Sequence, residues 1–155
     1  EAEKVFWQMS VVEDALTAVK AGVRDKGVTS MHDATECGIW GGLSEVAEAS
    51  GVGLVVDKGK IILQDVIQKV CEYYHIDPFT SISEGTLIIT VKPHKSIEVI
   101  NRLQDKNIPA SIVGEIVPAE KAMIYHDKGV AHELVHPKVD PFWSAFGKAA
   151  SQSAG

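Results

Sequence analysis

The sequence predicts an α/β fold of the α+β two-layer kind, with a mixed β-sheet packed against about four helices. Stretches with apolar residues at helical steps alternate with short β-branched runs, and a hairpin signal follows them. At 155 residues the chain is long enough to bury a core of its own as one domain.

Val5, Met9, Val12, Leu16, Val19 and Val23 recur at steps of three and four and predict one amphipathic helix ending near Gly22. Residues 28–32 read as a short strand, and a glycine-rich turn follows. A second helix is expected from about Ile39 to Ser50, with Ile39, Leu43 and Val46 inward and Gly51 as its stop. Residues 51–57 are β-rich, and Lys58, Gly59 and Lys60 turn the chain. A third helix is expected over residues 63–74, with Leu63, Val66, Ile67, Val70 and Tyr74 inward and Cys71 as a small core residue. Asp77-Pro78 breaks it. Residues 86–91 are apolar enough for the centre of a sheet. Ser96 is expected to cap a fourth helix running to Gln104, with Ile97, Ile100 and Leu103 inward. Residues 110–117 read as a strand. Residues 122–125 and 130–135 flank His126-Asp127-Lys128-Gly129, a hairpin signal. Residues 140–146 read as an amphipathic turn or short helix packing its aromatics on the body, and residues 151–155 as a frayed end. The expected organisation is one domain over residues 1–135 and a tail over residues 136–155.

Composition excludes several classes. Apolar residues are 45% and charged residues 23%, so a disordered chain is not expected. A net charge of −6 argues against a broad nucleic-acid surface. No apolar run approaches the roughly 20 residues of a membrane span. The first ten residues lack the basic and apolar blocks of a secretory signal, and they do not begin with Met, so the chain reads as a fragment. Cys37 and Cys71 form neither a C-x-x-C pair nor a disulfide framework, which favours a reduced, cytoplasmic setting.

Residues 31–42 carry the chemistry. A strand ends in His32-Asp33, small and polar residues follow, and a helix begins. The first amides of a helix lack internal partners and carry the positive end of its dipole. Gly38, Gly41 and Gly42 let backbone approach a ligand closely, as in an anion or phosphate site. Asp33 and Thr35 offer oxygens to a hard cation such as Mg²⁺, and His32 can orient a phosphate. A plainer reading stands beside this one. Asp or Thr before a helix is commonly an N-cap, and glycines often serve only tight packing. The spacing is neither a Walker loop nor a dinucleotide fingerprint.

Met31-His32-Asp33-Ala34-Thr35-Glu36-Cys37-Gly38, followed by residues 43–54, resembles the C-terminal domain of the aminoimidazole-ribonucleotide-synthetase-like superfamily. The usual form there is His-Asp-x-Thr-x-Gly-Gly, a helix ending Glu-Ala-Ser-Gly-Val-Gly, and an acidic residue after the next strand. Residues 83–87 are similar to its Ser/Asn-x-Gly-x-Leu segment, and residues 108–117 to its closing strand. The resemblance covers residues 27–117 and is greatest to hydrogenase expression/formation proteins. It implies that superfamily's C-terminal domain fold and ATP-dependent activation of an oxygen as a phosphate intermediate. It implies ATP and Mg²⁺ in a complete protein, held mostly by an N-terminal domain absent from this chain, and none bound tightly here. It assigns phosphate or substrate binding to His32, Asp33, Thr35, Gly38, Gly41 and Gly42, with Asp33 as a Mg²⁺ ligand only in the complete protein. The implied partners are that N-terminal ATP-binding domain, a second copy in a homodimer and another maturation protein. Two departures stand out. Cys37 replaces the first glycine of the Gly-Gly pair, and no cysteine follows Cys71 where the hydrogenase maturation protein ends in a reactive one. The alternative is a non-catalytic binding or regulatory module that retains the fold. In either case activity of this chain by itself is not expected.

His132-Glu133-Leu134-Val135-His136 matches the zinc-protease pattern H-E-x-x-H. The pattern needs a helix, where both histidines share a face. Here it follows a hairpin turn and precedes Pro137. Four strand residues span roughly 13 Å at about 3.3 Å each, too far for one zinc.

Overall fold

The first apolar stripe is not one helix. A computed structural model, describing residues 2–153, divides it into α1 (Ala2–Phe6), α2 (Val12–Ala18) and a one-turn 3-10 helix over Val19–Ala21. The chain turns between α1 and α2, where the Gln8 amide bonds the Val5 carbonyl at 2.9 Å. Nor is the stripe the packed face. Val12 and Leu16 are exposed, whereas Thr17, Ala18 and Ala21 are buried. Small residues on that side let α2 approach its neighbours closely.

Two sheets follow. β1 (Val28–Ala34) and β3 (Thr86–Val91) form an antiparallel pair with Ala34 opposite Thr86. β3 was expected at the centre of a sheet but has one strand partner among the described residues. Its apolar content has another cause, since both faces of the pair are covered. Ile88 meets α3 (Gly38–Ser50), while Ile89 and Val91 meet a cluster built on Ala18, Ala21, Val28, Val99 and Leu103. The second sheet has the order β4-β2-β5-β6, from β4 (Gly114–Val117), β2 (Gly53–Asp57), β5 (Met123–Asp127) and β6 (Val130–Glu133). β2 runs antiparallel to β4 and parallel to β5, so the sheet is mixed as expected. The hairpin also forms where expected, with positive φ at Lys128 and Gly129 as a two-residue turn of the primed kind requires.

α3 lies between the sheets and carries the main core. Ile39, Trp40, Leu43, Val46 and Ala47 pack with Ala34 and Ile88 on one side, and with Leu54, Val56 and Leu134 on the other. Gly51 closes the helix in the left-handed conformation, as the sequence indicated.

The remaining helices sit outside this core. α4 (Asp65–Tyr74) buries only Cys71, its Val70 and Tyr74 being exposed. α5 (Ser96–Gln104) buries Val99 and Leu103 and exposes Ile97, so its inner face is rotated from the one expected. Ser96 does not cap it, because its hydroxyl donates to the Pro93 carbonyl. Residues 110–113 remain outside β4, and Ser111 instead donates to the Lys60 carbonyl. α6 (Pro141–Ser153) is longer than expected. Trp143 and Phe146 are exposed, and both rings contact Phe142 instead of packing on the body. Residues 151–153 continue this helix, and the last two residues of the expected frayed end lie outside the described ones. Among the described residues there are thus six α-helices rather than about four, and no helix is long and apolar enough to cross a membrane.

Candidate functional site

β1 delivers His32, Asp33 and Ala34 to the edge of α3, and Thr35–Cys37 make the turn between them. Successive strand residues face opposite ways, so His32 and Asp33 diverge. Ala34 lies beneath α3, and His32 shares its face. The His32 Nε2 is 2.6 Å from Oε2 of Glu45, one α3 turn beyond Gly41. Asp33 points the other way and is exposed. The Thr35 carbonyl accepts the amides of Gly38 at 3.3 Å and Ser83 at 3.0 Å, tying the turn to the segment before β3.

Glu45 also receives His136, whose Nε2 lies 3.4 Å from Oε1. The Lys138 amide donates to Nδ1 of that ring at 2.9 Å. The proton of the neutral ring is therefore on Nε2, facing Glu45. The hydrogen bond from His32, with a smaller one from His136, holds the Glu45 carboxyl below the ordinary glutamate range, against a partial opposing effect of burial.

Several amides at the start of α3 are engaged by the chain's own groups. The Cys37 amide donates to Asp140 Oδ2 at 2.8 Å, and the Trp40 amide donates to the Phe79 carbonyl at 3.1 Å. The other Asp140 oxygen accepts the Phe142 amide at 2.8 Å, so one buried carboxylate serves α3 and α6 together. Neither Asp33 nor Thr35 caps α3. An anionic group of the chain itself, the Asp140 carboxylate, stands at this helix end.

All three glycines have a packing reason. A Cβ on Gly38 would stand 2.7 Å from the carbonyl oxygens of Phe79 and Ser81. On Gly41 it would stand 2.7 Å from the Cys37 Cβ, and on Gly42 2.8 Å from Ile88 Cδ1 and 3.0 Å from the Ala34 Cβ. They lie buried beneath the loop while His32, Asp33 and Thr35 border it. Cys37 is buried as well. Burial first, then the carboxylates of Asp140, Glu45 and Glu36, push its thiol up, which disfavours a nucleophilic thiolate.

Sequence reasoning missed Asp140, Glu45 and His136 as parts of this arrangement. A signal for the first exists, since Asp followed by Pro is an N-cap with proline at the first helical position. Nothing local marks the other two. The H-E-x-x-H histidines go to different partners, and only His132 lies in a strand, because β6 ends at Glu133. His132 stacks on Tyr125 at 5.0 Å, while His136 turns to Glu45. Tyr125 in turn stacks on Trp40 at 4.7 Å, and Trp40 on Phe79 at 5.5 Å, with the Lys58 ammonium 5.0 Å from the last ring. Among the described residues no group of three His, Cys, Asp or Glu side chains is placed to hold a metal ion.

The family described as AIR synthase related protein, C-terminal domain, matches residues 4–127. Carbamoyl dehydratase HypE of Escherichia coli K12 is 27% identical over 129 residues, covering 81% of this chain and 38% of that protein. A crystal structure of E. coli HypE, a hydrogenase maturation protein, superposes with a TM-score of 0.71 at 25% identity, covering 84% of this chain and 41% of that one. A structure of HypE in complex with ATP has a TM-score of 0.65 over 74% of this chain and 37% of that one; at 18% identity it speaks to fold alone. The chain thus spans about two fifths of the length of these relatives.

Proposed function

This chain belongs to the family of AIR synthase related protein C-terminal domains, and on that premise we propose that it is the substrate-side domain of an ATP-dependent synthase or maturation factor of the hydrogenase-maturation kind. The reaction class is activation of a substrate oxygen as a phosphate intermediate. ATP and Mg²⁺ belong to the complete enzyme, held mainly by an N-terminal ATP-binding domain. The observation that carries this reading is the family match running through the loop between β1 and α3, together with a relative named as a carbamoyl dehydratase.

The residues present fit one side of such a site. Asp33 and Thr35 offer hard oxygen donors at the loop's border, and Asp33 is exposed. His32, held by Glu45, offers a ring for orienting a phosphate. Gly38, Gly41 and Gly42 contribute by letting α3 lie close to Phe79 and Ser81, to Cys37 of the loop, and to Ile88 and Ala34 of the strands. A homodimer or a second maturation protein would complete the assembly.

One observation favours a second reading, a binding or regulatory module without chemistry. The Cys37 and Trp40 amides are engaged by Asp140 and Phe79.

The two readings differ in turnover. With the N-terminal domain supplied in cis or in trans, Mg²⁺-dependent phosphate release from ATP is expected, and this chain by itself should give none. Thr35→Ala or Asp33→Asn should lower the rate on the order of a hundredfold. ATP binding without turnover in the joined protein would decide for the regulatory module.

A further inference from the structure

We propose that the C-terminal segment, residues 136–153, is an internal plug for the loop between β1 and α3, its Asp140 carboxylate holding the position that an anionic group of the substrate would take. The proposal rests on the reading of that loop as substrate-facing and adds its regulation.

The contact is specific. Asp140 is 5% exposed, and each of its oxygens accepts a backbone amide at 2.8 Å, one from Cys37 and one from Phe142. A carboxylate and a phosphate oxygen make the same demand on a backbone amide, namely an N–H aimed at negative charge. While Asp140 is seated, the Cys37 amide is unavailable and a second anion would meet like charge. His136 lies over the same turn, its Nε2 3.6 Å from the Cβ position of Gly41.

Much of the rest of the segment faces solvent. Val135 and Val139 are exposed on either side of Pro137, and Lys138 has a positive φ of 62°. That conformation is unfavourable for a residue with a side chain. Beyond it, α6 turns Trp143 and Phe146 to solvent. Displacing the segment breaks the hydrogen bonds of Asp140 and His136 and relieves Lys138. Anion binding at the loop is coupled to release of the segment, because both compete for one amide.

The test uses this chain, isotope-labelled, with inorganic phosphate as probe and the amide resonances of residues 36–40 as readout. Wild type should show no saturable shift at millimolar phosphate. Asp140→Asn keeps an acceptor for only one of the two amides and removes the charge, and should bring saturable shifts at Cys37 with at least tenfold tighter apparent binding. Asp140→Ala should bind at least as tightly as Asp140→Asn. If it loses its fold, Asp140→Asn decides alone. Equal binding by wild type and Asp140→Asn overturns the plug, and so does absence of binding in Asp140→Asn. Either result leaves the ATP-turnover test of the joined protein untouched. Unmasked phosphate binding without turnover would strike only the proposed function.

Discussion

At the turn into α3, Cys37 and Gly38 both carry positive φ, 62° and 64°. Glycine is the residue that takes this conformation freely, so a Gly-Gly pair would suit the backbone, and Cys37 holds it at a cost. Gly41 makes room for the cysteine, since the Cys37 Cβ is the nearest atom to a Cβ built there. At Gly38 the neighbours are backbone carbonyls, which cannot move aside as a side chain can. Gly38→Val should therefore be a folding lesion. Positive-φ strain plus overpacking suggests about 2–4 kcal/mol of lost stability in denaturant unfolding. The pattern of glycines was legible in the sequence, but its reason was not, because Phe79 and Ser81 come from a distant segment. Glu45 gives a second prediction. Its folded pKa is depressed by His32 and His136, so its stabilising effect is present above the ordinary glutamate pKa and is lost as pH falls through the depressed one. A carboxyl NMR titration should place its midpoint below that of an exposed glutamate, and His32→Ala should move it back up. An unchanged midpoint in the variant would remove His32 as the cause. The side chain is about half exposed, so the effect on overall stability should be small.

Element by element, period and punctuation located α3, β3, α4 and the β5–β6 hairpin closely, because each has strong local signals at both ends. Facing was read less well. The apolar stripe of Val12, Leu16 and Val19 has helical spacing, yet the alanines beside it are the ones packed. Spacing reports amphipathicity but does not say which face meets this chain's core. A pair of substitutions separates the two cases. Leu16→Lys, at 60% exposure, should change the stability of this chain by no more than about 0.5 kcal/mol. Leu43→Ala, at 6% exposure between the two sheets, should cost about 2–5 kcal/mol. A large loss from Leu16→Lys, read by the same unfolding curve, would mean that the stripe is covered after all. β3 shows the same limit in a strand. Its apolar content reported two covered faces, and the sequence could not say that the covers were helices rather than further strands.

Across the whole molecule, the contacts between distant segments are what the sequence concealed. Asp140 lies 103 residues beyond Cys37, and His136 lies 91 beyond Glu45. Residues 136–155 were set apart as a tail because their local signals are weak. Yet Leu134, just before them, is buried in the main core, and Asp140 closes both α3 and α6. A chain ending at residue 135 should therefore keep its sheets but lose stability. Removing Asp140 leaves the Cys37 amide without its acceptor, at about 1–3 kcal/mol for a buried donor. Losing the hydrogen bond between His136 and the half-exposed Glu45 adds at most about 1 kcal/mol. Unfolding by denaturant should show a loss of about 1–4 kcal/mol, and amide exchange should quicken first at residues 36–40. Asp140→Ala in the full chain should reproduce most of that local exchange, because it removes the same acceptor while leaving the rest of the segment. If truncation loosens α4 or α5 as much as the start of α3, the segment supports the domain generally and Asp140 is not its point of attachment.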